Sequence, residues 1–216
     1  MKKINPIQYA FITAIDLGIR YPIYLYNTFG MTYPITSPYE MITYADNFRI
    51  SLRNTNDIKE KLKIREVYKK HFSIINNALS DYVISLCPCG TFLALEDLHN
   101  PDWMDCMATQ QLLKKLVKKA KKKYIQLVRV DPTNTSNMCP RCGNINKVNR
   151  DKGKHLYRCD KCGLVCNDDG IAAWNIHNRA YYMITGKEYV TTIHGEIPVI
   201  NRQYDYKPFD DIMNRV

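Results

Sequence analysis

Two near-copies of one short unit, Cys139-Pro-Arg-Cys142-Gly143 and Cys159-Asp-Lys-Cys162-Gly163, constrain this chain more than anything else in it. Two thiolates three residues apart on a tight turn hold one face of a tetrahedral ion, and a second such turn completes a four-thiolate shell. The glycine after each second cysteine supplies the permissive backbone that turns amides toward the sulfurs. Two disulfides or four unrelated thiols would not repeat the whole unit. The spacing therefore predicts that Cys139, Cys142, Cys159 and Cys162 ligate a structural Zn2+ within a ribbon over residues 133–167. A closed shell of four thiolates leaves no open coordination position for chemistry, so chemistry is to be sought elsewhere in the chain.

At 216 residues the chain suits one domain with a sizeable core plus a small appendage. Hydrophobic residues make up 45%, a globular composition, and 31 Lys and Arg against 21 Asp and Glu leave a formal charge of +10. That balance favours a polyanionic partner, nucleic acid ahead of a membrane surface. There is no run of about 18 apolar residues, and the opening MKKINPIQYAFITAIDLG lacks a small-residue cleavage site. The expectation is a soluble intracellular protein, cytoplasmic, or in the nucleus or a viral factory if the source is a eukaryotic host or virus. The remaining cysteines, Cys87, Cys89, Cys106 and Cys166, follow no joint scheme and fit a reducing compartment.

Along the chain, Ala10–Ile15 reads as a buried strand closing on Asp16, and Pro22–Tyr26 as a second strand after a short turn. A carboxylate at the end of a buried strand must be paired, hydrogen-bonded or on a metal; taken alone, Asp16 is equally well a turn residue accepting amides near Gly18. Ile42, Tyr44 and Phe48 suggest a third strand over Met41–Ile50, and apolar residues at helical spacing predict a helix from Asn56 to Leu86. Thr91–Leu98 repeats the first theme, an apolar run ending in Glu96. If the two strands are neighbours, Asp16 and Glu96 project from one edge of the sheet. A helix over Met104–Lys123 carries a dense lysine band that includes Lys114, Lys115, Lys118, Lys119 and Lys122, suited to phosphates through charge although part of it is an ordinary solvated helix end. A strand over Tyr124–Val130 leads into the ribbon, and Asp168-Asp169 open the helix that follows it, where acids are also commonplace as caps. Residues 187–216 show no readable pattern.

Strand-Asp, strand-Glu and Asp-helix, with a four-cysteine ribbon just before the last acid, resemble the RuvC-like nuclease of the TnpB transposon-associated proteins and the related type V CRISPR effectors. The matching pieces are Ile15-Asp16-Leu17-Gly18, Leu95-Glu96-Asp97-Leu98, Val130-Asp131-Pro132 with Thr135-Ser136, and Asp169-Gly-Ile-Ala-Ala-Trp-Asn-Ile176. The resemblance covers about residues 10 to 182. Asn167 and Ile171 depart from the family's usual Asp and Asn in the last block; alignment on Ala172-Ala173 and Asn175-Ile176 puts the family's acid on Asp169. With only 15 residues ahead of Asp16, the expectation is a chain lacking the family's N-terminal guide-binding region.

The resemblance implies an α/β, RNase H-like (RuvC) mixed sheet flanked by helices, with the zinc ribbon inserted. The domain reading is a nuclease core over 1–132, the ribbon over 133–167, a completing helix over 168–186 and a tail over 187–216. It implies a catalytic triad of Asp16, Glu96 and Asp169 ligating Mg2+ or Mn2+, hard cations selected by oxygen ligands, and hydrolysing phosphodiester bonds of DNA. Arg141, Lys147, Arg150 and Arg158 of the ribbon join the lysine band as expected nucleic-acid contacts. The leading expectation is a DNA endonuclease specific for DNA structure, in the manner of a resolvase, alone or as a homodimer. An RNA-guided subunit that depends on RNA, a guide-binding partner protein or a dimer, and a non-catalytic zinc-ribbon nucleic-acid-binding protein, are the alternatives.

Overall fold

The computed structural model describes residues 10–18, 22–35, 39–97 and 107–187. Strands β1 (Ile12–Asp16), β2 (Ile23–Asn27) and β3 (Thr32–Ile35) are followed by helices α1 (Tyr39–Arg53) and α2 (Ile58–Ser85). Then come β4 (Phe92–Glu96), α3 (Met107–Lys122) and β5 (Gln126–Val130). The ribbon contributes β6 (Arg150–Asp151), β7 (Leu156–Arg158) and β8 (Val165–Asn167), and α4 (Asp168–Thr185) closes the described chain.

The main sheet has the order β3-β2-β1-β4-β5. β1 pairs antiparallel with β2 and parallel with β4, which pairs parallel with β5. This is the mixed α/β sheet the sequence predicts. Alternation along the strands sorts its two faces. Ile15, Ile23, Leu25, Leu93 and Leu95 pack under α2 and α3, with Phe72, Leu79, Val83, Leu112 and Leu116 as their partners. Ile12, Ala14, Phe92, Ala94 and Val130 face the other way, against Ile176 and Ala180 of α4. The small residues Ala14 and Ala94 at the centre of that second face allow α4 to lie close to the sheet.

One expected element is corrected. Residues 41–50 lie within helix α1, not a strand. Three apolar positions were too few to separate a period of 2 from helical spacing, and the deciding contact is long-range: the Phe48 ring stands 4.8 Å from Tyr68 and 6.5 Å from Phe72 on α2. The third strand is instead Thr32–Ile35, hydrogen-bonded to β2 with Pro34 opposite Tyr24. A proline is tolerated there because β3 is an edge strand. The start of the second predicted helix (104–106, including Cys106), Leu98 and the tail beyond Lys187 lie outside the described residues.

Lys119 of α3 and Lys123 just after it are structural. Lys119 Nζ lies 2.6 Å from Asp81 Oδ1 and donates to Asn77 O at 2.8 Å, and Lys123 Nζ donates to Ile84 O at 3.2 Å, all on α2. Lys114, Lys118 and Lys122 are exposed. No helix among the described residues is long and apolar enough to cross a membrane.

His177 fastens α4 to the far end of the sheet. Its Nε2 is 3.2 Å from Thr28 Oγ1, and its ring meets Tyr26 edge-on at 5.1 Å. Burial pushes its pKa down to about 4. An unfolded chain takes up a proton on this imidazole below about pH 6.5, whereas the folded chain resists until near pH 4. Stability is therefore lost as pH falls through this window, by up to about 3 kcal/mol. Urea unfolding at pH 7 and pH 4.5 checks this: wild type is expected to lose about 2 kcal/mol more than His177→Gln between the two.

Candidate metal and nucleic-acid site

The ribbon is built from two turns with the same hydrogen-bond pattern. Cys139 N donates to Asn144 O at 2.8 Å and Gly143 N returns to Cys139 O at 2.9 Å; Cys159 N donates to Leu164 O at 2.9 Å and Gly163 N to Cys159 O at 3.0 Å. Gly143 and Gly163 have φ of 70° and 72°, a left-handed conformation that a side chain would strain. The four sulfurs lie within 4.8 Å of one another, with Cys139–Cys162 and Cys142–Cys159 each at 3.6 Å. Zn–S bonds of about 2.3 Å imply tetrahedron edges of about 3.8 Å, so the cage has the size of a four-thiolate metal site. A disulfide needs sulfurs near 2.05 Å, and all the described cysteines are free. At Cys159 burial opposes ionisation, but the Cys162 and Lys161 amides prevail and hold the thiol at about 7.

The turns are latched to each other without metal. Asp160, beside the second turn, accepts from Asn144 Nδ2, from Asn146 Nδ2 at 2.8 Å and from Asn149 Nδ2 at 3.1 Å. The ribbon in turn packs on the main domain, since Tyr157, Leu164 and Cys166 share one apolar cluster with Tyr24 and Tyr26 of β2 and with Ile171 and Trp174 of α4. Tyr26 and Trp174 stack at 5.5 Å.

Asp16, Glu96 and Asp169 lie near enough for Glu96 and Asp169 to act on Asp16 through charge, but the three do not form a group with ligand atoms within 4.8 Å of one another. Asp16 and Glu96 have the parity of Ile12, Ala14, Phe92 and Ala94, so both face α4. The β1–β4 register runs from Ile12 opposite Phe92 to Ala14 opposite Ala94, and Asp16 and Glu96 each follow the last pair by two residues. Asp169 enters from the first turn of α4, which Asn167 caps by accepting from the amides of Asp169 at 2.9 Å and Gly170 at 3.2 Å. Gly170 allows this approach: a Cβ there would sit 3.1 Å from Tyr24 Cε1. Burial, then the charges of Glu96 and Asp169, drive the Asp16 pKa well above the ordinary carboxylate range. Burial also raises Glu96 and Asp169, with Asp168 adding to the rise at Asp169 and Arg150 opposing it.

Residues besides the three acids complete this site. Arg150 Nε donates to Asp168 Oδ2 at 2.7 Å and its terminal nitrogen to Asp169 Oδ1 at 3.0 Å, while His155 Nδ1 lies 3.2 Å from Asp168 Oδ1. Asp168, 1% exposed, is therefore the buried anchor of Arg150, and Asp169 is the more open of the pair at 18%. His155, Asp168 and Asp169 bring ligand atoms within 4.8 Å, the second such group among the described residues besides the four cysteines. The Thr135 hydroxyl donates to Glu96 Oε1. The loop that carries Thr135 is stapled to α4: Asn175 Nδ2 donates to Thr135 O and Met138 O, both at 2.7 Å, and Arg179 to Asp131 O and to Thr133 O.

The expected nucleic-acid contacts divide between two faces. Arg141, Lys147 and Arg158 are exposed on the ribbon, on the α4 side of the sheet with the acids. Lys114, Lys115, Lys118, Lys119 and Lys122 ride on α3, across the sheet from them. Arg150 is turned inward onto the acids.

Residues 110–176 match the family described as Cas12f1-like, TNB domain. A CRISPR-associated endodeoxyribonuclease Cas12f1 from Sulfoacidibacillus thermotolerans is 30% identical over 141 residues, covering 62% of this chain and 33% of that protein. Among solved structures, Cas12f1 in its complex with sgRNA and target DNA superimposes with a TM-score of 0.59 at 20% identity, over 82% of this chain and 51% of the other. A CRISPR-Cas12f ternary complex gives 0.60 at 21%, over 88% and 41%. The RNA-guided endonuclease CRISPR-Cas_phi3 gives 0.57 at 13%. The chain thus spans a third of the curated relative it matches and about half or less of these solved chains. With a mixed α/β sheet, a four-cysteine ribbon and relatives of this kind, the chain is similar to the TnpB-like and type V CRISPR effectors.

Proposed function

We propose that this chain forms the cleavage centre of a metal-dependent DNA endonuclease, in which Asp16, Glu96 and Asp169 hold Mg2+ or Mn2+ and Cys139, Cys142, Cys159 and Cys162 hold Zn2+. What supports this reading is that acids from β1, β4 and α4 act on one another through charge, Glu96 and Asp169 adding to the rise at Asp16, and that all three have raised pKa values. Like charges crowded in this way are stable only when protonated or neutralised by a cation, and an all-oxygen donor set selects hard divalent ions. The sulfur cage, with 3.6 Å edges, fits zinc by the same kind of test. In domain terms, residues 1–132 and 168–186 make the nuclease core and residues 133–167 the inserted ribbon.

Divalent cations bound to such acids supply an activated water and stabilise the leaving 3′ oxygen of a phosphodiester. The protein's own residues set the stage. Asp16 and Asp169, from β1 and α4, would hold the cations, with Glu96 completing the set. Thr135 orients the Glu96 carboxylate, and Arg150, held by Asp168, orients and helps ionise Asp169.

Direction of the cut by RNA is a second reading, supported by the sgRNA and target DNA in the Cas12f1 complex that this fold resembles; recognition of DNA structure is the first. Incubating the purified protein with single-stranded, duplex and four-way-junction DNA in Mg2+ tests both. Cleavage abolished by EDTA supports the nuclease, and preference for the junction supports structure recognition. Dependence on a copurified RNA favours guidance. A protein that cuts none of the three, with or without its copurified RNA, overturns the reading.

A further inference from the structure

Asn175 carries two amide hydrogens, and both are spent on one loop. It is wholly buried in α4, the helix that also carries Asp169, and its Nδ2 donates to Thr135 O and to Met138 O, each at 2.7 Å. The two carbonyls fix which way the amide points, since only its nitrogen can donate to them. Its oxygen is thereby turned to a place where, among the described residues, it has no hydrogen-bond partner. A buried acceptor left in this way is costly. An apolar side chain of the same size would avoid that cost, but it would release both carbonyls.

The two carbonyls belong to residues with different duties. Thr135, 2% exposed, gives its hydroxyl proton to Glu96 Oε1, with Pro132 O at 3.0 Å as the competing acceptor. Met138 directly precedes Cys139, the first sulfur of the cage. Between them the chain closes on itself, since Asn134 takes a left-handed φ of 60° and its carbonyl accepts from Met138 N at 2.9 Å. Residues 134–138 therefore move as one piece, and Asn175 holds that piece at both carbonyls. The placement of the Thr135 hydroxyl, and through it of the Glu96 carboxylate, is thus referred to the helix that places Asp169.

From this arrangement we infer that Asn175 is a positioning residue of the cation site, which acts through Thr135 to set the Glu96 carboxylate against Asp169. The inference rests on the reading of Asp16, Glu96 and Asp169 as cation ligands. Groups that stand behind a ligand and hold its orientation typically change metal affinity by about 10-fold to 100-fold. The Thr135 hydroxyl is such a group, but its own position is only as fixed as the loop beneath it. Asn175 supplies that fixity from inside the core, without touching a cation or a substrate. The same side chain ties the first cysteine turn, through Met138 O, to the helix that carries Asp169.

The test is Mn2+ binding to the whole zinc-loaded chain without DNA, followed by the electron paramagnetic resonance of free Mn2+. Thr135→Val, which keeps the shape and removes the hydroxyl, should weaken binding about tenfold, and Thr135→Ser, which restores the hydroxyl, should stay within about twofold of wild type. Asn175→Ser should also weaken binding about tenfold at unchanged zinc content. Combined with Thr135→Val it should lose no more than about twofold beyond either single variant, because both changes break one route. Where Asn175→Ser does not keep its zinc, Asn175→Gln, whose longer stem cannot hold both carbonyls at the same distance, is read by the same cycle. Unchanged Mn2+ affinity in the zinc-loaded Asn175 variant, losses that multiply in full to about 100-fold in the double variant, or no rescue by Thr135→Ser overturns the proposal. The expected binding pattern in a protein that never cuts DNA removes the nuclease reading alone. Cutting in Mg2+ by a wild type whose Asn175 variant binds Mn2+ equally well removes this inference alone, and a wild type that binds no Mn2+ removes both.

Discussion

Asp16→Asn is expected to abolish DNA cleavage in Mg2+ and, at the same time, to make the metal-free protein more stable. The activity loss should reach at least about 10³-fold, because the substitution removes an anionic ligand from the centre of the site. The gain in stability follows from the charge arrangement. Asp16 is pressed by burial and by Glu96 and Asp169, so its carboxylate form is disfavoured in the folded state. Its folded pKa lies above its unfolded value; the stabilising protonated form is therefore complete only at low pH and is lost as pH rises through the folded pKa. At neutral pH the wild type bears that cost and the asparagine variant does not. Melting in EDTA at pH 7.5 should place the variant at least about 3 °C higher, the shift that about 1 kcal/mol produces in a chain of this size. The gap should narrow as pH is lowered. Adding Mg2+ should reverse the order, since only the wild type gains by mass action from a cation that binds the folded state. A variant less stable than wild type in EDTA at pH 7.5 would show that Asp16 is held by partners rather than repelled.

Cys159→Ser carries the second large effect. A four-thiolate zinc site contributes on the order of 10 kcal/mol or more to the fold of the unit around it, and the Asp160 latch, made of a few side-chain hydrogen bonds each worth about 1–2 kcal/mol net, cannot replace it. Loss of one ligand is expected to release the ion, measured by elemental analysis, and to expose the ribbon between about residues 137 and 166 to limited proteolysis. The damage should extend to the acids. Tyr157 and Leu164 of the ribbon share a core with Ile171 and Trp174 of α4, and Arg150 of the ribbon holds Asp168 and Asp169. Cleavage should therefore fall with the zinc content and not return on addition of Mg2+ alone. Retained zinc with full activity in Cys159→Ser would mean that three sulfurs suffice.

The elements with a clear period were legible in the chain. β1, β2, β4 and β5 appeared as short apolar runs, and α2 and α4 as long helical patterns, because each buries one well-defined face. The short α1 was not, since its packing depends on Phe48 meeting Tyr68 and Phe72 some 20 residues away in sequence. β3 was missed because it is a four-residue edge strand containing Pro34, which weakens any strand signal. Of the site, the acids could be found because strand ends and a helix start mark them, and the cysteines because their spacing is chemistry in itself. Thr135 lay in a matched stretch and Arg150 among the expected nucleic-acid contacts, but their acidic partners, and any role for His155, had no such signal. Arg150 and His155 reach α4 across 18 and 13 residues of ribbon, and Thr135 reaches Glu96 across 39. No local pattern encodes pairs of that kind.

The double Cys-x-x-Cys-Gly unit was sufficient by itself to specify the four-sulfur cage, because two tight turns with glycines leave the thiolates little other choice. The alternation of β1 and β4 gave Asp16 and Glu96 the same parity, and the parallel pairing of the two strands puts them on one face. What only the tertiary structure decided is which charges meet that face. The sheet separates the lysines of α3 from the acids, so charge that looks continuous along the chain is divided between two surfaces. The ribbon, seated on β2 and α4, brings Arg150 onto Asp168 and Asp169. Electrostatic and apolar contacts act through space, and the folded core, not proximity in the sequence, sets the distances over which they act.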